Sequence, residues 1–244
     1  MRRPRVFIDT PLAAGALVRL PPEAARHLCQ VLRLKTDDEV VLFNGRDGRD
    51  HRARLLRSDR RAVEAEVLEA GPVEPEPPVA FHLALGLTRG ERLDFALQKG
   101  TELGATGFEL LYTERTQVKW DAQRLERRMA HWRGVIQAAC EQSGRRRVPL
   151  LKPPQPLPCW LEAHGGPDVV LLDPEAEATL ARLAPPQARL AFLTGPEGGL
   201  STRERSAAYG VGCRGARLGP RVLRAETAPL AALAAAQVLW GDLR

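Results

Sequence analysis

The chain has 244 residues, 44% of them hydrophobic, and carries 36 lysines and arginines against 30 aspartates and glutamates, for a net charge of +6. That length exceeds a usual single domain and buries enough surface to need no staples. The four cysteines, Cys29, Cys140, Cys159 and Cys213, are too scattered for a metal or disulfide framework, and the apolar run 230–240 is shorter than the roughly 20 residues of a membrane span.

With Pro4 and Pro11 breaking the N-terminal stretch, no signal peptide is expected. The sequence therefore predicts a reduced cytoplasmic protein without metal. Only Lys35, Lys99, Lys119 and Lys152 are lysine, so the positive charge is almost wholly guanidinium. Guanidinium forks match phosphate oxygens and stack on bases, which suits an RNA partner. The single asparagine, Asn44, fits compositional bias as a second source of the arginine count.

Residues 1–70 read as short strands (5–8, 17–20, 40–43, 51–58 and 61–68) with one helix over 22–32, which suggests a compact barrel. Asn44-Gly45 supplies turn chemistry between two of the strands. Arg26, Arg33, Arg46, Arg49, Arg52, Arg54, Arg57, Arg60 and Arg61 crowd this segment, so it presents either a nucleic-acid face or a solvated basic surface. The stretch GPVEPEPP at 71–78 is expected to be a stiff linker, because its prolines disfavour helix and ladder pairing.

Beyond it the pattern alternates between strands (79–85, 108–112, 169–172, 188–194, 216–218) and helices (92–103, 124–142, 202–209, 224–240). That order predicts an α/β domain with a mostly parallel sheet covered by helices on both faces. Leu230, Leu233, Val238 and Leu239 form the apolar side of the last helix, as core or subunit interface. The match of Gly210-x-Gly212-x-x-Gly215 to a dinucleotide loop is discounted, since a helix precedes it and a strand follows.

Two loops carry the chemistry. LTGPEGGL at 193–200 follows a buried strand and strips Cβ atoms from the backbone, so that N–H and C=O groups can approach a ligand. LGPRVLRAETA at 218–228 repeats the design, and two such loops at the carboxyl ends of parallel strands form a ligand crevice. Gly198 is expected to need φ > 0.

GPEGGLS with Glu204, then LGPRVLRAETA, resembles the SPOUT superfamily of methyltransferases, and within it the RsmE family. KGTELGA from Lys99, TERTQ from Thr113, EQSGRRRVP from Glu141 and HLCQVLRLKTDDEV from His27 match in order along most of the chain. The resemblance implies a PUA-like RNA-binding β-barrel over 1–70 and a SPOUT methyltransferase domain with a deep trefoil knot over 79–244. It implies methylation of N3 of a uridine in 16S rRNA (m3U1498 in the family), on free RNA or the 30S subunit, by a homodimer; the alternatives are a SPOUT methyltransferase acting on another RNA base or a ribose, and a catalytically inactive RNA-binding protein of the same two-domain kind.

S-adenosyl-L-methionine would then be held by Leu172, Leu193, Thr194, Gly195, Pro196, Glu197, Gly198, Gly199, Leu218, Gly219, Val222 and Leu223. N3 methylation requires loss of an imide proton. Glu197 and Glu226 are candidate bases, each with a bracing or helix-end role as the alternative, and Arg221 and Arg224 are candidates to stabilise the resulting anion. Arg26, Arg33, Arg115, Arg145, Arg146 and Arg147 are candidate RNA contacts.

Overall fold

The computed structural model describes residues 3–58 and 63–243. Arg60 and Arg61 of the basic cluster lie outside them. The chain forms two units, Met1–Glu76 with Cys140–Val148, and Pro77–Ala139 with Pro149–Arg244.

In the first unit β1 (Arg5–Phe7), β2 (Leu17–Arg19), β3 (Glu39–Phe43), β4 (Arg49–Ser58) and β5 (Val63–Val73) make one sheet in the order β1-β3-β4-β5-β2, with β1 and β2 at its edges. Only the β1–β3 pairing is parallel. Alternate residues, Val40 and Leu42, Ala53 and Leu55, and Val63, Ala65 and Val67, point into one core, the two-residue period of a half-buried sheet. The opposite face explains how β4 tolerates its arginines: Arg52 and Arg54 pair across the strands with Glu69 and Glu66 of β5. Asn44 caps the turn after β3, its Oδ1 accepting from the N–H groups of Arg46 and Asp47, with Gly45 at φ +73°.

Two expectations change here. The helix over 22–32 is a short α1 (Pro22–Arg26) followed by a π turn, His27–Val31, which buries Leu28 and ends near Arg33 at φ +56°. The expected linker begins inside β5, because a register shift lets Val73 pair with Arg49 although Pro72 has no N–H to offer.

The second unit contains β6 (Ala80–Gly86), α2 (Arg92–Glu102), β7 (Gly107–Tyr112), α3 (Ala122–Ser143) up to Ala139, β8 (Leu150–Leu151), β9 (Gln155–Pro156), α4 (Leu157–His164), β10 (Val169–Leu172), β11 (Arg189–Thr194), α5 (Thr202–Gly210), β12 (Arg214–Ala216) and α6 (Thr227–Trp240). The sheet order is β12-β10-β11-β6-β7-β8, with β9 also on β7, and every pairing is parallel. One face packs Ala84, Leu111, Ala191 and Leu193 against Trp160, Leu161 and Ala208 of α4 and α5. α6 packs on β6 and β11 and against α2, and Phe81 stacks on Phe192 within the sheet. α4 escapes the sequence reading because its segment is proline-rich, yet Pro158 falls in the first turn, where the missing N–H costs nothing. No helix among the described residues is long and apolar enough to cross a membrane.

Candidate active site

The carboxyl ends of β10, β11 and β12 open into a cavity of about 440 Å³. Its walls are Leu172 and Asp173 after β10, the loop Thr194–Leu200 after β11, the loop Leu218–Glu226 before α6, and Arg92 at the start of α2.

The loop after β11 is fixed from several sides. A Cβ on Gly195 would lie 2.6 Å from the Gly199 carbonyl carbon and the Leu200 nitrogen, so the chain folds back on itself only with glycine there. Gly199 takes φ +68° and its N–H closes a turn on Pro196 O at 2.8 Å. Gly198 has no positive φ, and a Cβ on it would make only ordinary contact with the Arg115 side chain at 3.4 Å. The left-handed position is thus one residue later than expected, because the turn that reverses the loop closes at Gly199. Ser201 then starts α5 with a capping box: its Oγ accepts from Glu204 N–H at 3.1 Å, and Glu204 Oε2 accepts from Ser201 N–H at 2.8 Å. The other oxygen of buried Glu204 accepts the N–H of Glu114 at 2.8 Å, and Arg115 donates to the Gly198 carbonyl at 2.5 Å. The motif at 113–117 therefore braces the glycine loop.

On the far wall Asp173, 5% exposed, accepts from the Tyr209 hydroxyl at 2.9 Å and from Arg205 at 3.5 Å. Burial, reinforced by that bond to Asp173, pushes the Tyr209 phenol up to about 12, so it stays a donor.

The two carboxylates of the cavity differ. Glu197 Oε1 accepts from Arg89 N–H at 2.9 Å and from the Arg92 guanidinium at 2.6 Å. Partial burial opposes its ionisation, but those bonds, with its own N–H, outweigh burial and hold the carboxyl below the ordinary glutamate value. Glu226 lies 3.9 Å from Arg92 Nε through Oε1, while its Oε2 is buried without a hydrogen-bond partner. An unpartnered buried carboxylate oxygen in a cavity wall is a costly group that a ligand proton would satisfy.

Of the expected site residues, Leu172, Thr194–Gly199, Leu218, Gly219, Arg221, Val222, Leu223, Arg224 and Glu226 converge on this cavity. Leu193 does not line it: strand alternation turns its side chain into the core under α4 and α5. Arg92 and Arg205 were missed, since each comes from a helix whose place beside the loops depends on strand order. Arg26 and Arg33 are exposed in the first unit. Arg146 and Arg147 are engaged inside that unit: both N–H groups donate to Glu74 at 3.0 Å, Arg146 Nε lies 3.3 Å from Asp50 and Arg147 Nη2 lies 2.9 Å from Glu76. The Arg145 carbonyl accepts from Arg5.

Residues 75–237 match the model of an RNA methyltransferase domain and residues 20–68 that of an RNA methyltransferase PUA domain. The chain belongs to the RsmE family. The ribosomal RNA small subunit methyltransferase E of Mycobacterium bovis is 32% identical over 96% of this chain and 90% of its own length. Its Bacillus subtilis counterpart is 30% identical over 90% of this chain and 91% of its own length. The Neisseria gonorrhoeae enzyme of that name, solved bound to S-adenosyl methionine, superposes with a TM-score of 0.91 at 36% identity, all of both chains being covered. A Legionella pneumophila methyltransferase structure, also with bound cofactor, reaches 0.92 at 35% identity over the full length of both chains.

Proposed function

We propose that this member of the RsmE family is a cytoplasmic, homodimeric S-adenosylmethionine-dependent methyltransferase acting on N3 of a uridine in 16S rRNA, with the segment around the two loops threaded as a trefoil knot. The residues fit the cofactor: the cavity offers a glycine-lined cradle whose Gly199 and Gly219 have open space where a Cβ would stand. When bound, S-adenosylmethionine supplies a methyl group on a positively charged sulfur.

The observation that carries the reading is Glu226 Oε2, a buried acceptor without a partner in the wall of that cavity. An imide N–H of uracil is a donor that satisfies it, whereas N3 of cytosine carries no hydrogen to give. Glu226 accepts the N3 proton as the N3 lone pair takes the methyl group. Arg221 and Arg224, both exposed at the mouth of the cavity, stabilise the charge that grows on the uracil oxygens. Glu197 is a poor base, because Arg92 and two N–H groups stabilise its ionised form; it serves to hold Arg92 beside Glu226.

The test is nucleoside mass spectrometry of 16S rRNA and of 30S subunits incubated with the protein and labelled cofactor, with calorimetry of cofactor binding alongside. Wild type is expected to give 3-methyluridine, and Glu226→Gln to lose roughly 10²- to 10⁴-fold in rate with cofactor affinity kept. Label on another base or on ribose would reassign the substrate. Cofactor binding without any transfer would make the protein a binder only.

A further inference from the structure

The first half of α3 carries a basic surface that the cavity does not use. Its inward side, Met129, Trp132 and Ile136, is buried. Arg124, Arg127, Arg128 and His131 fall at i, i+3, i+4 and i+7, a single stripe along the outward side. With Asp121 they line a shallow depression of about 560 Å³, four basic groups to one carboxylate. Over residues 119–133 five lysines and arginines stand against two acidic residues.

This stripe differs from the arginines of β4. There Arg52 and Arg54 meet glutamates across the sheet, whereas Arg124, Arg127 and Arg128 form no ion pair among the described residues, and Arg127 only reaches back to Gln123 at 3.4 Å. Like charges at this spacing repel by a few tenths of a kcal/mol per pair, so the three arginines, without an ion pair of their own, are a cost that an anionic partner would remove. The neighbouring groups suit a nucleic acid. Trp120 sits just before the helix, partly exposed, edge-on to Trp132 at 5.6 Å, and Asp94 holds His131 at 2.7 Å and Trp132 Nε1 at 3.1 Å. A partly exposed aromatic four residues before the first arginine of the stripe supplies, with those guanidinium groups, the two elements that stack a base and neutralise phosphates. The end of the helix is not itself the anion site, because Asp121 Oδ1 already accepts from the Arg124 N–H at 2.7 Å.

Chain continuity links the stripe to the cavity. Arg115, which donates to the Gly198 carbonyl, is six residues from Asp121, an extended reach of at most about 20 Å. That is the length of a few nucleotides rather than of a separate binding event. We propose that the α3 stripe holds the RNA backbone flanking the nucleotide that enters the cavity, with Trp120 as a stacking platform. This rests on the cavity being an RNA methyltransferase site, and the occupant is a single-stranded RNA segment, not a protein.

The test uses the full chain with Arg124→Ala, Arg127→Ala and Arg128→Ala combined, and the corresponding triple lysine variant, all exposed or half-exposed changes that leave the inward face of α3 intact. Binding to a 16S rRNA fragment is followed by fluorescence anisotropy from low to high salt, together with methyl transfer and cofactor calorimetry. The alanine variant is expected to lower the log–log salt slope by about 2, near 0.7 per lost single-strand phosphate contact. It should raise KM for RNA with kcat at saturating RNA and cofactor affinity unchanged, and the lysine variant should restore most of the slope. An unchanged slope and KM in a protein whose wild type methylates the fragment would overturn the α3 proposal and leave the cavity reading standing. A reduced slope in a protein whose wild type binds but never methylates would overturn the cavity reading and, with it, the flanking role proposed for the stripe. A defect confined to assembled subunits, absent on naked RNA, would point to a ribosomal protein and overturn RNA as the occupant; no RNA binding by wild type would overturn both.

Discussion

Single residues divide the glycine loop into positions that need glycine and one that does not. Gly199→Ala places a Cβ on a backbone at φ +68°, a left-handed conformation costing about 1 kcal/mol, so its melting temperature should fall by about 2–4 °C. Gly198→Ala, without that conformation, should melt within about 1–2 °C of wild type, since uncongested surface changes stay within about 0.5 kcal/mol. Scanning calorimetry of the pair decides whether the turn closes where the dihedral angles place it. Glu197 gives a pH signature. Its folded carboxyl lies below the ordinary value, so its contribution is present above the ordinary glutamate range and disappears as the pH falls through the lowered value. Urea unfolding should therefore show wild type more stable than Glu197→Gln near pH 7, with the gap closing on acidification; a gap independent of pH would refute the Arg89 and Arg92 bonds as its source. The chemistry of these residues was legible in the sequence as a glycine-rich loop followed by a capping signal. Which glutamate keeps a free oxygen was not, because Arg92 is supplied by the start of α2, more than a hundred positions upstream of Glu197.

At the scale of elements, the loop is held because α5 starts in a fixed place. The capping box satisfies the N–H groups of Ser201 and Glu204, and the second oxygen of Glu204 ties the segment after β7 to the same corner. Ser201→Ala should cost about 1 kcal/mol and about 2–4 °C in melting temperature. Glu204→Ala, which orphans both the Ser201 and the Glu114 N–H, should cost more and weaken cofactor binding as well. If Glu204→Ala proves no worse than Ser201→Ala, the Glu114 bond contributes nothing. Most strands were read within a few residues because their apolar runs are continuous or alternate, but β5 runs five residues further than its apolar pattern and the two-residue β8 and β9 carry no such pattern. Helix α4 and the π turn after α1 were not: one hides behind prolines, and the other depends on Leu28 reaching the core rather than on any local propensity.

For the whole molecule, the apolar groups of α6 divide into a core side and an exposed side. Leu230 and Leu233 are buried, whereas Val238 is 59% exposed and Leu239 and Leu243 stay open nearby. If a second copy covers them, light scattering should give twice 26.8 kDa for wild type and half that for Val238→Asp with Leu239→Asp, with the melting transition retained because neither side chain is in the protomer core. A wild-type mass of a single chain would remove the homodimer from the functional reading. The charge of the molecule divides in a similar way. Arg52, Arg54, Arg146 and Arg147 are matched by carboxylates within the first unit, and Arg124, Arg127 and Arg128 of α3 form no ion pair among the described residues.

The sequence by itself determined the α/β class, the strand-ending glycine loops and the family, because these depend on patterns local in the chain: hydrophobic period, missing Cβ atoms and capping residues. Tertiary structure alone decided which carboxylate is held by arginine and which is left with an unpartnered oxygen, that Leu193 belongs to the core, and which arginines are already neutralised. Those outcomes depend on strand order and on distances between residues far apart in sequence, which no local pattern encodes.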